Sequence, residues 1–86
     1  MTFAQLRSFS EVARLGSVTA AAVALGVTEP AVSLAVGALR RELGDPLFVR
    51  SGTGIDLTPG GHRLALAASE ILETAELARA DLRAMH

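Results

Sequence analysis

Apolar residues in the first half of the chain recur at the three- and four-residue spacing of helices. Phe3, Leu6, Phe9, Val12 and Ala13 form one such stripe, opened by Thr2 and Gln5 at capping-box spacing and closed by Gly16. Ser17 is placed to cap a second, short helix carrying Val18, Ala21, Ala22 and Leu25, which Gly26 ends. Thr28 is placed to cap a third, with Pro30 in the first turn and Val32, Val36, Leu39 and Leu43 as its buried stripe up to Gly44. After Gly44-Asp45-Pro46 the helical period stops. Leu47-Phe48-Val49-Arg50 and Ile55-Asp56-Leu57 then read as two strands around Ser51-Gly52-Thr53-Gly54. A hairpin alone is marginal in water, so Leu47 or Phe48, with Leu57, is expected to pack on the helices. Thr58-Pro59 opens a last helix of about 27 residues, roughly 40 Å long. The pattern predicts a mainly α chain.

Composition narrows what such a chain can do. Its 86 residues, half of them apolar and 20% charged, suit one small domain with an appended helix and leave no room for two cores. There is no cysteine, which removes disulfides, thiolate metal sites and cysteine nucleophiles and fits a reducing, cytoplasmic setting. Ala20 to Leu25 and Leu64 to Ala68, the longest apolar stretches, are far shorter than the roughly 18 residues of a membrane helix, and no secretory leader is visible. His62 and His86 stand far apart in sequence, and no metal cluster, nucleophile motif or phosphate-cradling loop accompanies them. An enzyme, a metal and a cofactor are therefore not expected. The net charge is −1, with six arginines against five acids up to Arg63 and two against four beyond it. Charge alone does not announce a nucleic-acid partner.

The strongest signal lies between Val18 and Gly37. Ala22 where two helices cross, Gly26 in the turn, and Val27 and Val32 beyond it have the chemistry of a helix-turn-helix. The outer face of the third helix then carries Glu29, Pro30, Ser33, Leu34, Gly37 and Arg41, with its N-terminus aimed toward a major groove.

Leu6, Phe9, Gly16-Ser17, Ala21-Ala22, Leu25, Val27-Thr28-Glu29-Pro30-Ala31-Val32-Ser33, Leu39, Glu42-Leu43-Gly44, Pro46-Leu47-Phe48, Arg50, Leu57-Thr58 and Gly61 together resemble the N-terminal domain of LysR-type transcriptional regulators. The resemblance implies a winged helix-turn-helix over residues 1–58, with the helix-turn-helix at about 18–37 and the wing at about 47–57. It further implies a linker and dimerisation helix over 59–86, and sequence-specific binding of double-stranded DNA by a homodimer on an inverted repeat. A ligand-sensing effector domain is expected outside these 86 residues, so a small-molecule effector would act only through that absent domain. The chain departs from the family pattern at Glu29, where glutamine is usual, at Leu34, where a basic or polar residue is usual, and at Gly37 and Ala38, where cations are common. Glu29 could accept from a cytosine amino group or serve the helix dipole, and Leu34 could meet a thymine methyl; both readings stay open.

Candidate DNA-binding residues are Ser17, Thr19, Thr28, Glu29, Pro30, Ser33, Leu34, Arg50, Thr53 and Arg63. Ser17 and Thr28 could equally be caps alone, and Arg50 could serve a structural ion pair. Arg7, Arg40 and Arg41 read as solvated surface. On the last helix, Leu64, Ala68, Ile71, Ala75, Ala78 and Leu82 fall along one seam and are expected to pair two copies, the rival being a fold-back onto the same domain. A winged helix that mediates protein interaction without DNA is the alternative function.

Overall fold

Every helix of the chain starts where a side-chain oxygen captures a free backbone N–H. The computed structural model describes residues 1–86, as α1 (Phe3–Leu15), α2 (Val18–Leu25), α3 (Glu29–Leu43), β1 (Phe48–Ser51), β2 (Gly54–Leu57) and α4 (Pro59–Ala84). Thr2 Oγ1 accepts from the Gln5 N–H at 3.1 Å while Gln5 Oε1 accepts from the Thr2 N–H at 3.0 Å, completing the expected capping box. Ser17, Thr28 and Thr58 accept from Ala20, Ala31 and Gly61 at 3.1, 3.2 and 2.9 Å. Such caps contribute about 1 kcal/mol each.

Between α2 and α3 the chain turns by 109°. Gly26 makes this possible at φ 67°, a left-handed conformation that costs glycine nothing and a side-chain-bearing residue about 1 kcal/mol or more. The angle lies within the range of helix-turn-helix pairs. Phe9 and Val12 of α1, Ala21 and Ala22 of α2, Val32, Val36 and Leu39 of α3, and Leu47 and Phe48 form one buried cluster. Alanine at positions 21 and 22 lets α2 sit close to α1 and α3. Two apolar positions of the helical stripes remain exposed: Phe3 and Leu43 are 46% and 43% exposed. Both lie at helix ends, where the stripe has turned past its neighbours.

β1 and β2 pair antiparallel, with Phe48 opposite Leu57 and Ser51 opposite Gly54, so the turn is Gly52-Thr53. Both strands are shifted from the expected ranges, and Leu47 lies outside β1. The Phe48 N–H donates to the Pro46 carbonyl at 2.8 Å around Leu47, which has φ 68°. This is a γ-turn with a left-handed central residue, a conformation strained by about 1–3 kcal/mol. Its surroundings hold it in place. The Leu47 side chain is fully buried, its N–H donates to Asp45 Oδ1 at 2.7 Å, and its carbonyl accepts the Thr58 N–H at 3.0 Å.

The same carboxylate oxygen accepts the Thr58 hydroxyl at 2.8 Å, joining the loop before β1 to the first turn of α4. Gly61 is required here by close approach, since a Cβ on it would lie 1.9 Å from the Leu47 carbonyl oxygen. From this junction α4 runs back along α1. Ala65, Ser69 and Leu72 share a groove with Ser10, Ala13 and Arg14, whereas Ile71, Ala75 and Ala78 share one with Phe3. Ala68 is fully buried and Leu64 packs on the core. These two residues of the expected pairing seam therefore face the domain's own interior. The result is a two-stranded wing on a helical body drawn out to 49 × 25 × 19 Å.

Candidate nucleic-acid interface

The first turns of α3 stand clear of the rest of the molecule. Its inner side, Val32, Val36 and Leu39, is held in the core, which fixes the rotation of the helix and turns Thr28, Glu29, Pro30, Ser33 and Leu34 outward. Leu34 is 70% exposed, a large apolar side chain with no intramolecular packing to explain it. Arg41 is exposed as expected, lying over Gly37.

A cleft of about 230 Å³ runs between the start of α2, the start of α3 and the wing. Ser17, Thr19, Glu29, Ser33, Arg50 and Thr53 line it together, along with Gly54 and Ile55 at the wing. Six residues singled out from sequence, scattered over 37 positions, thus meet at one place. Within it the Thr19 hydroxyl donates to Glu29 Oε1 at 2.6 Å. This bond holds the carboxylate against α2 and leaves Oε2 without a protein partner. Arg50 pairs with no carboxylate, so a structural ion pair is not its role. Ser17 and Thr28 do act as caps, and each shares the edge of the interface with backbone N–H groups of a helix start, a favourable setting for an anion.

Arg63 stands apart. It borders a separate shallow hollow on α4 with Leu66, Ala67 and Glu70, and is not brought to the cleft. Arg40, read from sequence as solvated surface, is instead half-buried, its guanidinium carbon 4.4 Å from the centre of the Phe48 ring. The signal for this was the helical spacing of Val36 and Arg40 on one side of α3 facing the wing, but only the fold supplies the aromatic ring. On α4, Ile71, Ala78 and Leu82 are exposed and Ala75 half-buried. Leu66, Leu77 and Met85, which the seam did not include, are also exposed at 65%, 58% and 76%.

A right-angled helix pair with an uncovered second helix, flanked by a two-stranded wing, defines a winged helix-turn-helix domain. Residues 3–62 match the family described as "Bacterial regulatory helix-turn-helix protein, lysR family", and the chain belongs to that family. It is 61% identical over 72 residues to an uncharacterised HTH-type transcriptional regulator of Mycobacterium tuberculosis, covering 84% of this chain and 22% of that protein. It is 44% identical over 73 residues to the HTH-type transcriptional regulator AbaB of Streptomyces antibioticus, covering 85% of this chain and 24% of that protein. The chain therefore spans about a quarter of the length of these relatives. Among solved structures it is similar to the CbnR DBD–DNA complex, with TM-score 0.89, 40% identity and coverage of 99% of this chain and 98% of that one. It is likewise similar to the complex of the BenM DBD with catB site 1 DNA, with TM-score 0.93, 28% identity and coverage of 99% and 94%.

Proposed function

We propose that these 86 residues are the DNA-binding part of a transcriptional regulator that reads double-stranded DNA as a homodimer. The observation that carries this reading is the uncovered outer face of α3 beside a cleft lined by Ser17, Thr19, Glu29, Ser33, Arg50 and Thr53. α3 enters the major groove, Glu29, Pro30 and Leu34 meet base edges, and Ser17, Thr19, Thr28, Ser33, Arg50 and Thr53 meet phosphates. Arg63, on its own side of α4, contributes at most to the general field. Two domains of known structure that resemble this one were solved with DNA, which supports the partner.

Residues 1–58 act as the reading head and 59–86 as the linker that pairs two copies. Ile71, Ala75, Ala78 and Leu82 supply the pairing face, which continues to Phe3 of α1. A two-fold pair of this kind suits an inverted repeat. Regulators of transcription act where the chromosome is, so the cytoplasm is the working compartment, and no catalytic step belongs to this reading. Fluorescence anisotropy on duplex fragments tests it. With roughly four to eight phosphates contacted per dimer, log affinity falls against log salt with a slope of about −4 to −7. Failure to bind any genomic duplex at low salt would favour the protein-interaction reading instead.

A further inference from the structure

A second hollow, of about 380 Å³, opens between α3 and β1 and is lined by Val18, Ser33, Val36, Arg40, Phe48, Val49 and Arg50. It shares Val18, Ser33 and Arg50 with the cleft at the reading face, so the two adjoin. Two arginines line it and no carboxylate does. Neither arginine is in an ion pair, and neither donates a hydrogen bond within the protein. The Nε–H of Arg40 is removed from solvent without an acceptor. Leaving a cationic donor in that state is costly, and the negative face of the Phe48 ring at 4.4 Å offsets only part of it. The ring face holds the guanidinium beside the hollow, and a guanidinium can make a two-pronged contact with phosphate oxygens. Ser33, seven residues before Arg40, puts a hydroxyl on the same side of α3.

We infer that Arg40 and Arg50, with the Ser33 hydroxyl, form a seat for one backbone phosphate of duplex DNA beside the groove that α3 enters, and that Phe48 presents Arg40 to it. The inference rests on the proposed DNA binding and adds to it a contact made by a residue that sequence placed on the solvated surface. Phe48 is then both a core residue and a positioning residue for the guanidinium.

The salt dependence of duplex binding reads the contact directly. Arg40→Gln removes one phosphate neutralised per protomer, so the slope of log affinity against log salt falls in magnitude by about 2 for the dimer, equally for all sequences. Arg40→Lys keeps a charge at the seat and restores most of the slope. A purely structural role for Arg40 would shift the melting temperature of both variants and leave both slopes at the wild-type value, which overturns the inference. If Arg40→Gln does not fold, the arginine Nε–H signals of the wild-type domain give the answer: Arg40 shifts on adding duplex, and an unmoved signal overturns the seat. An equal shift with inorganic phosphate alone assigns the hollow to a free anion and overturns the DNA contact. Absence of any duplex binding by the wild-type chain is a different result, since it removes the DNA-binding reading itself.

Discussion

Every buried residue of the chain lies at or before Ala68, and beyond Ala68 no residue is buried. The difference does not come from hydrophobicity, because the far half of α4 still offers Ile71, Leu77, Leu82 and Met85. It comes from neighbours. The first region folds around a centre shared by three helices and the wing, while the second touches its own chain along one side only, Ser69 and Leu72 beside Ser10, Ala13 and Arg14, and Ile71, Ala75 and Ala78 beside Phe3. The reading head is complete within one chain, and the outer half of α4 is the surface that pairs two copies in the proposed homodimer.

The contrast can be broken most severely at the shared centre. Phe9→Ala empties a fully buried site and is expected to cost about 3–5 kcal/mol, most of the stability of a domain this size, as measured by urea unfolding. On the far side of Ala68, Ile71→Asp should leave the fold of one chain intact yet weaken pairing. Only the exposed third of each Ile71 is left to bury on pairing, so over the two copies the loss makes the dimer dissociate roughly tenfold more readily by sedimentation equilibrium. If Ile71→Asp instead unfolds the head, the two regions are not separable in this way.

The smallest effect belongs to the surface of α1, where Arg14 donates to both oxygens of Glu11 at 3.1 and 2.7 Å. The hydrogen bonds from the Arg14 guanidinium hold the Glu11 carboxyl below its usual pKa. A depressed folded pKa gives stability that is complete above the unfolded value and lost as pH falls through the folded one, so the contribution fades only in acid. The pair lies in solvent, where screening keeps such contributions small. Glu11→Gln should therefore lower stability only slightly at neutral pH and leave it unchanged at the acid end of a denaturation series.

Much of the molecule could be read from local chemistry. Thr2, Ser17, Thr28 and Thr58 marked helix starts because a cap acts within three residues, and Gly16, Gly26 and Gly44 marked the ends of the first three helices for the same reason. Residues of the cleft were also legible, since a helix-turn-helix spacing fixes which side of α3 faces out. What sequence missed depends on distant partners. Leu47 looked like strand, but Asp45, Thr58 and Gly61 hold it in a left-handed turn. Leu64 and Ala68 share a heptad seam with Ile71 and Leu82, and periodicity does not tell which part of a seam lies beside α1. Arg40 looked solvated because nothing in its neighbourhood along the chain foretells the ring of Phe48.

The bonds from Asp45 and the Leu47 carbonyl to Thr58 have a mechanical consequence. They clamp the root of α4 to the loop before β1, leaving no slack joint between lever and head. When a partner tilts the far end of this 49 Å body, the head swings with it, and a small rotation at one end becomes a displacement of several ångströms at the other. In the proposed homodimer the crossing angle of two such levers acts as a ruler, converting the way two copies lean together into the separation of the half-sites they can grip.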